Sequence, residues 1–312
     1  VNPLLSLAGA EVYRIPMILL IGWRGEPGVH DEPQHITQGR VTPALLEAME
    51  IPCVILDAGE GFAAQLRDCS GWLAENGAPY AFLVRKDTFG PYTGLPGEEP
   101  PLELSREEAI GIIAGASGEG EFFFSTTGMA SRELYELRER LGQGHGRDFL
   151  TVGSMGHASS LALAAALRRP GALITCLDGD GAALMHLGAL AAIGERKPRN
   201  LRHILLNNGA HDSVGGQPTI ARAIDLPGIA RACGYPRVYS VRDGAALKEA
   251  LSGRGGPVFI EVMVRRGARQ DLGRPRSSPE ENKRALMAAL REAAADPPED
   301  PHPEGPPGGG IT

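Results

Sequence analysis

The chain lacks the patterns that mark a thiolate metal centre, a membrane span or a nucleic-acid surface. Its 312 residues include four cysteines, Cys53, Cys69, Cys176 and Cys233, with no CxxC pair and no Cys/His cluster. Cys53 and Cys176 lie inside apolar runs and are expected to be buried core thiols, which suits a reducing, cytoplasmic setting. No run reaches the roughly 18 apolar residues of a membrane helix. The stretch Ile15–Trp23 is short, and Pro16 opens it as in a buried strand. A signal-peptide pattern is absent. With a formal net charge of -7 and no Lys/Arg-rich block, the chain has no footprint for nucleic acid. An anionic substrate would have to be held by local basic groups or a metal.

What is present is a globular composition. Hydrophobic residues make up 42% and charged residues 22%, enough to build a sizeable core. Short apolar runs alternate with longer amphipathic ones. Strands are expected at Pro16–Gly22, Pro52–Asp57, Tyr80–Val84, Glu121–Thr126, Leu173–Asp178, Arg202–Asn207, Arg237–Ser240 and Val258–Val264. Helices are expected at Thr42–Met49, Gly59–Asn76, Ser105–Ala116, Ser131–Leu141, His157–Arg168, Ala182–Ile193, Leu226–Cys233, Asp243–Ser252 and Glu280–Ala295. The runs are nearly continuously apolar, as in parallel strands covered on both faces, and the alternation implies an α/β fold with right-handed crossovers. Ser105 with Glu108 fits a capping box, Thr42-Pro43 an N-cap followed by Pro at the first helical position, and Asp243 a third cap.

Glycine and proline crowd the stretch Phe89–Leu102, which therefore reads as a linker. The expected organisation is a first domain over residues 1–88, a linker over 89–104, a second domain over 105–295 and a disordered Pro/Gly/acidic tail over 296–312.

The chemistry concentrates between Leu173 and Thr219. Asp180 sits between Gly179 and Gly181, after one apolar strand and before a helix; a second strand ends in Asn207-Asn208. The two sites are about thirty positions apart, the length of a strand–helix–strand unit. Adjacent parallel strands would bring the acid and the amide side by side beyond the sheet, where open α/β sheets bind ligands. A carboxylate and an amide oxygen are hard donors suited to Mg²⁺. The glycines admit a diphosphate, and the following helix would turn its free N–H groups towards it.

Gly179-Asp180-Gly181 followed by Asn207-Asn208 resembles the cofactor motif of thiamine-diphosphate enzymes. The resemblance implies the thiamine-diphosphate-binding fold, with parallel sheets flanked by helices in two domains. It implies Mg²⁺ held by Asp180, Asn208 and the carbonyl of Ala210, and diphosphate contacts from Gly179, Gly181, Ala182 and Ala183. The stretch Val152-Gly153-Ser154-Met155-Gly156-His157 resembles the glycine turn preceding that motif, which adds Gly153, Ser154 and Met155 as cofactor contacts. Asn208–Gln217 and Ile21–Gly28 resemble the phosphonopyruvate decarboxylase branch in particular, with sulfopyruvate decarboxylase as its sibling, and bring Gln217 into the cofactor set. The implied reaction is decarboxylation of a 2-oxo acid, phosphonopyruvate giving phosphonoacetaldehyde on a route to phosphonate antibiotics. A cytoplasmic homo-oligomer with active sites between subunits is implied as well.

In this family a glutamate that activates the cofactor lies upstream of the segment matching Asn2-Pro3-Leu4. The chain begins at Val1, so the first domain is expected to be incomplete and the glutamate missing. An inactive or assembly subunit is the corresponding alternative.

Gln34 and His35 are expected in a polar loop at the active site, with His35 relaying protons. His211 and Asp212 follow the metal loop and would contact substrate, or Asp212 would only cap a turn. Met129 would serve as the apolar wedge under the cofactor, or as core. Arg24 is the candidate for the phosphonate, since a guanidinium offers a two-pronged fork to oxyanions. His186, between Met185 and Leu187, reads as a packed or half-buried histidine.

Overall fold

Continuous apolar runs form strands wherever the sequence places them, and all the long strands run parallel. The structure, a computed structural model, describes residues 1–59, 61–90, 101–253 and 255–293. Most of the expected linker and the whole expected tail lie outside these residues. The chain divides into two compact units at Gly97/Glu98.

The first unit contains α1 (Asn2–Ser6), β1 (Ile18–Gly22), α2 (Pro33–Ala48), β2 (Cys53–Leu56), α3 (Phe62–Asn76) and β3 (Tyr80–Val84). Its parallel sheet has the order β1-β3-β2. β3 is buried throughout, but the outer strands are not. Ile18 and Leu20 on β1 and Ile55 on β2 are 44%, 64% and 43% exposed. These edge strands therefore depart from the expectation of cover on both faces. Cys53, on the edge strand β2, is exposed rather than buried.

α2 also starts earlier than expected. It begins at Pro33 and runs through Pro43. An interior proline removes one ladder hydrogen bond, leaving the carbonyl four residues earlier without its partner. That carbonyl belongs to Gly39, and the Trp23 indole N–H donates to it at 2.8 Å. With the orphan acceptor satisfied, the helix tolerates Pro43, and Gln34 and His35 stand in its first turn instead of a loop.

The second unit contains α4 (Arg106–Gly115), β4 (Phe122–Ser125), α5 (Met129–Arg140), β5 (Asp148–Leu150), α6 (Ala158–Arg168), β6 (Ile174–Gly179), α7 (Asp180–Met185), α8 (Ala189–Arg196), β7 (Leu201–Asn207), the short pair β8 (Ala210–His211) and β9 (Gln217–Pro218), α9 (Leu226–Ala232), β10 (Arg237–Val241), α10 (Gly244–Leu251), β11 (Val258–Met263) and α11 (Pro279–Glu292). Six parallel strands form one sheet in the order β10-β11-β7-β6-β4-β5. One face packs on α4, α5 and α10 through Ile110, Leu134 and Leu247. The other packs on α6, α8, α9 and α11 through Ala162, Ile193, Leu226 and Leu286. Burying side chains such as these contributes about 1.5–3 kcal/mol each for the larger ones.

The capping box of α4 and the Asp243 cap of α10 form as the sequence predicts. The predicted helix over Ala182–Ile193 does not form as one piece. α7 ends at Met185 and α8 begins at Ala189, because His186 leaves helical geometry and its ring lies 4.2 Å from that of His157. The three-residue strand β5, absent from the sequence reading, closes one edge of the sheet. The Asn282 side chain of α11 accepts from Leu150 N at 3.0 Å and donates to Asp148 O at 2.8 Å, which caps that open edge.

Candidate active site

The chain steps from β4 outwards to β5, and from β6 in the opposite direction to β7. The loops leaving β4 and β6 therefore diverge, and a crevice opens at the carboxyl ends of the strands, the usual ligand position in such sheets. Its walls are Thr126, Thr127, Met129 and Ala130 after β4, Met155 after β5, Gly179–Ala182 after β6, and Asn208 and Ala210–Ser213 after β7, with Arg106 from α4.

β6 and β7 are neighbours, with Gly179 level with Leu206. The chain thus delivers Asp180 and Asn208 to the same recess. Asp180 is 2% exposed. Burial raises its pKa above the usual carboxylate range, partly offset by a hydrogen bond from the Thr219 hydroxyl and by backbone N–H groups. No arginine or lysine among the described residues pairs with it. A buried carboxylate without a cationic side chain is expensive unless a metal or a proton compensates it. The donor set fits a hard divalent ion: one carboxylate, the Asn208 amide oxygen and the Ala210 carbonyl.

The two asparagines do different work. Asn207 donates to Glu261 at 2.9 Å and accepts from Gly209 N at 3.1 Å, which fixes the turn behind the recess. Asn208 donates to Asp212 Oδ2 at 2.6 Å, and its Oδ1 accepts from Ala210 N at 3.0 Å.

Glycine is required at two points of the wall. A Cβ on Gly181 would lie 2.4 Å from the His211 ring, which packs directly over this backbone. Gly156 has φ +90°, and a Cβ there would meet His186 at 2.6 Å and Ala182 O at 2.7 Å. The neighbouring Gly153 N donates to Thr127 Oγ1 at 3.0 Å, tying the loop after β5 to the loop after β4.

Behind the Asp180 turn lies a buried polar network. Asp178 Oδ1 accepts from Gly179 N at 3.0 Å, and Oδ2 lies 3.2 Å from His203 Nε2. His203 Nδ1 lies 3.0 Å from the Tyr235 hydroxyl. Cys176 completes a buried Cys/Asp/His group. Both imidazole nitrogens already have partners, so this group fastens the end of β6 to β7 and to the turn between α9 and β10.

Several expected residues lie off the recess wall. Gly153 and Ser154 precede the wall residue Met155 by two positions and one, Ala183 on α7 is buried in the core, and Gln217 is exposed on β9 opposite His211. Met129 and Met155 both line it.

Arg24, Gln34 and His35 belong to the first unit. There Asp31 accepts from Arg24 Nε and Nη2 at 2.9 and 2.6 Å and from the backbone of Gly25 and Glu32, each at 2.7 Å. His35 Nδ1 lies 3.0 Å from the same carboxylate. The Arg24 hydrogen bond, ahead of the other partners, holds the Asp31 carboxyl far below its usual range. The Arg24 fork is thus occupied, whereas His35 keeps Nε2 and Gln34 keeps an unpaired buried Oε1.

The sequence did not single out Arg106, Glu133, Thr127 or Thr219. Their partners lie far along the chain, and a lone Arg or Thr carries no local signal.

A family model described as thiamine pyrophosphate enzyme, C-terminal TPP binding domain, matches residues 126–262. A phosphonopyruvate decarboxylase of Streptomyces viridochromogenes is 35% identical over 313 residues, covering 92% of this chain and 75% of the relative. A phosphonopyruvate decarboxylase of Streptomyces hygroscopicus is 36% identical over 323 residues, covering 95% and 76% respectively. A sulfopyruvate decarboxylase subunit beta of Methanothermobacter thermautotrophicus is 39% identical over 166 residues, covering 53% of this chain and 85% of that subunit.

Proposed function

The chain belongs to the phosphonopyruvate decarboxylase family of thiamine-diphosphate-dependent carboxy-lyases, and from that premise we propose that it releases CO₂ from 3-phosphonopyruvate to give phosphonoacetaldehyde, in the biosynthesis of phosphonates. The observation that carries this reading is the buried Asp180 carboxylate, with which no arginine or lysine of the described residues pairs, in one recess with Asn208 and Ala210.

In this reading Asp180, Asn208 and the Ala210 carbonyl hold Mg²⁺. Gly179, Gly181 and Ala182 present their backbone to the diphosphate, with Gly153, Ser154 and Ala183 supporting that wall. Bound thiamine diphosphate supplies an electron sink for the carbanion left when CO₂ departs. The chain's own work is to bind, position and exclude water. Met129 and Met155 give the recess apolar walls, which favour loss of a charged carboxylate as neutral CO₂. His211, packed over Gly181, is the histidine that faces the recess and is the candidate to hand a proton to the product. His35 has its Nδ1 fixed by Asp31, so Nε2 can take or give a proton, and Gln34 beside it offers an acceptor. Gln217 borders the site through its pairing with His211 and completes the proposed set of cofactor contacts. Arg24 would reach the phosphonate only by giving up Asp31.

A sulfopyruvate decarboxylase is the second reading, favoured by the similarity to the Methanothermobacter subunit. We also infer a homo-oligomer, to be tested by sedimentation velocity. The deciding experiment is turnover of phosphonopyruvate and sulfopyruvate with Mg²⁺ and thiamine diphosphate, measuring CO₂ and aldehyde. The proposal expects phosphonopyruvate to be preferred and Asp180→Ala to abolish turnover. A preference for sulfopyruvate selects the sibling, and full activity of Asp180→Ala overturns both.

A further inference from the structure

Only one end of an asparagine side chain can ligate a cation: the oxygen is a donor to the metal, whereas the NH₂ would turn two positive hydrogens towards it. The two ends have nearly the same size, and the terminal torsion has two comparable wells. Packing therefore does not choose between them; the hydrogen-bond partners must. At Asn208 the NH₂ end is held by Asp212 Oδ2 at 2.6 Å. The flipped amide would face oxygen to oxygen at that distance, which is repulsive.

Asp212 is itself held in place. The same Oδ2 accepts from Arg106 Nη1 and from Gly267 N, both at 2.9 Å. Arg106 is 6% exposed. It grips Glu133 through Nε at 2.7 Å and Nη2 at 3.0 Å, and donates to Gly267 O at 3.2 Å. Glu133 is 1% exposed. The capping box at Ser105 sets the start of α4, and with it the position of Arg106; α5 sets Glu133. Two helices and the loop after β11 thus converge on one carboxylate oxygen, and that oxygen bonds the amide of a residue on the recess wall.

We propose that Asp212, fixed by Arg106 and Glu133, is a positioning residue that orients the Asn208 amide so that its oxygen faces the cation. This rests on the reading of Asn208 as a metal ligand. It gives Asp212 a role distinct from contact with the substrate, and it gives Arg106 and Glu133 a role in metal binding although neither touches the ion.

The test is calorimetric titration of Mg²⁺ into the full chain with thiamine diphosphate present. Removing a group that orients a metal ligand lowers metal affinity by roughly 10- to 100-fold, and that loss is expected for Asp212→Ala. In an Asn208→Asp background the carboxylate presents an oxygen whichever way it turns, so Asp212→Ala costs no affinity there. A merely structural role for Asp212 would weaken binding equally in both backgrounds, and that result, or no loss in either, overturns the clamp. Should Asp212→Ala fail to fold, Asp212→Asn serves: an amide can turn either end to Asn208, so of the two partners only Ala210 N, which donates to Asn208 Oδ1 at 3.0 Å, still favours the ligating orientation; several-fold loss with Asn208 and none with Asp at 208 are expected. If the unsubstituted chain binds no Mg²⁺, the metal reading itself falls and the clamp with it.

Discussion

Asp178 lies one residue before the glycine turn, is fully buried, and satisfies two partners at once: Gly179 N at 3.0 Å and His203 Nε2 at 3.2 Å. Asp178→Ala removes both acceptor oxygens and leaves those groups in a core that water does not reach. Each buried polar group left without a partner costs about 1–3 kcal/mol. The substitution should therefore destabilise the second unit by about 2–6 kcal/mol, a large part of the roughly 5–15 kcal/mol that holds a typical domain folded. Asp178→Asn behaves differently. It keeps an oxygen for Gly179 N, and its NH₂ can donate to His203 Nε2 if the imidazole places its proton on Nδ1, where the Tyr235 hydroxyl can accept it. The cost should stay near 1 kcal/mol, the net value of a neutral hydrogen bond. Urea unfolding followed by circular dichroism measures both. For a unit of this size the milder change lowers the melting temperature by about 2–4 °C and the alanine by several times more. Equal losses for the two variants, or an alanine within 1 kcal/mol of the parent, would refute the reasoning that Asp178 bridges turn and core.

Two further outcomes follow from the geometry. Gly181→Ala places a methyl group 2.4 Å from the His211 ring, so it should displace the ring and weaken thiamine diphosphate binding; adding His211→Ala should recover most of the loss, and a fluorescence titration in which the double variant binds no better than the single would reject the contact. Asp31 is a carboxyl whose folded pKa is depressed, first by Arg24, so the stability it gives the first unit is complete above the ordinary carboxylate range and fades only as the pH falls well below it. Asp31→Asn should therefore destabilise that unit at neutral pH and flatten its acid dependence below about pH 4; a parent and variant with parallel stability–pH curves would rule this out.

The second unit was largely legible from sequence because its central strands are buried on both faces and are mostly apolar. β11, buried from Val258 to Met263 with Glu261 as its one charged residue, is the clearest case. The first unit was less so. Pro43 reads as a helix start because proline in a helix interior normally costs a hydrogen bond, and nothing near it in sequence reveals that the Trp23 indole takes over the orphan carbonyl of Gly39, 16 residues from that indole. The break between α7 and α8 was likewise hidden, since it depends on the contact of His186 with His157. At the site, Asp180 and Asn208 were legible because glycine turns after apolar strands are local signals. The residues that hold them were not: Arg106 meets Asp212 across 106 positions and Thr219 meets Asp180 across 39. Partners so distant in sequence leave no periodicity to read.

The central claim is that one cation joins Asp180 and Asn208 to a diphosphate. Titrating thiamine diphosphate into the chain by calorimetry, with Mg²⁺ and with EDTA, tests it most directly. Binding is expected only with Mg²⁺, and is expected to be lost in Asp180→Ala and in Asn208→Ala even though both variants remain folded. Unchanged affinity in either variant, or equal affinity in EDTA, would contradict it.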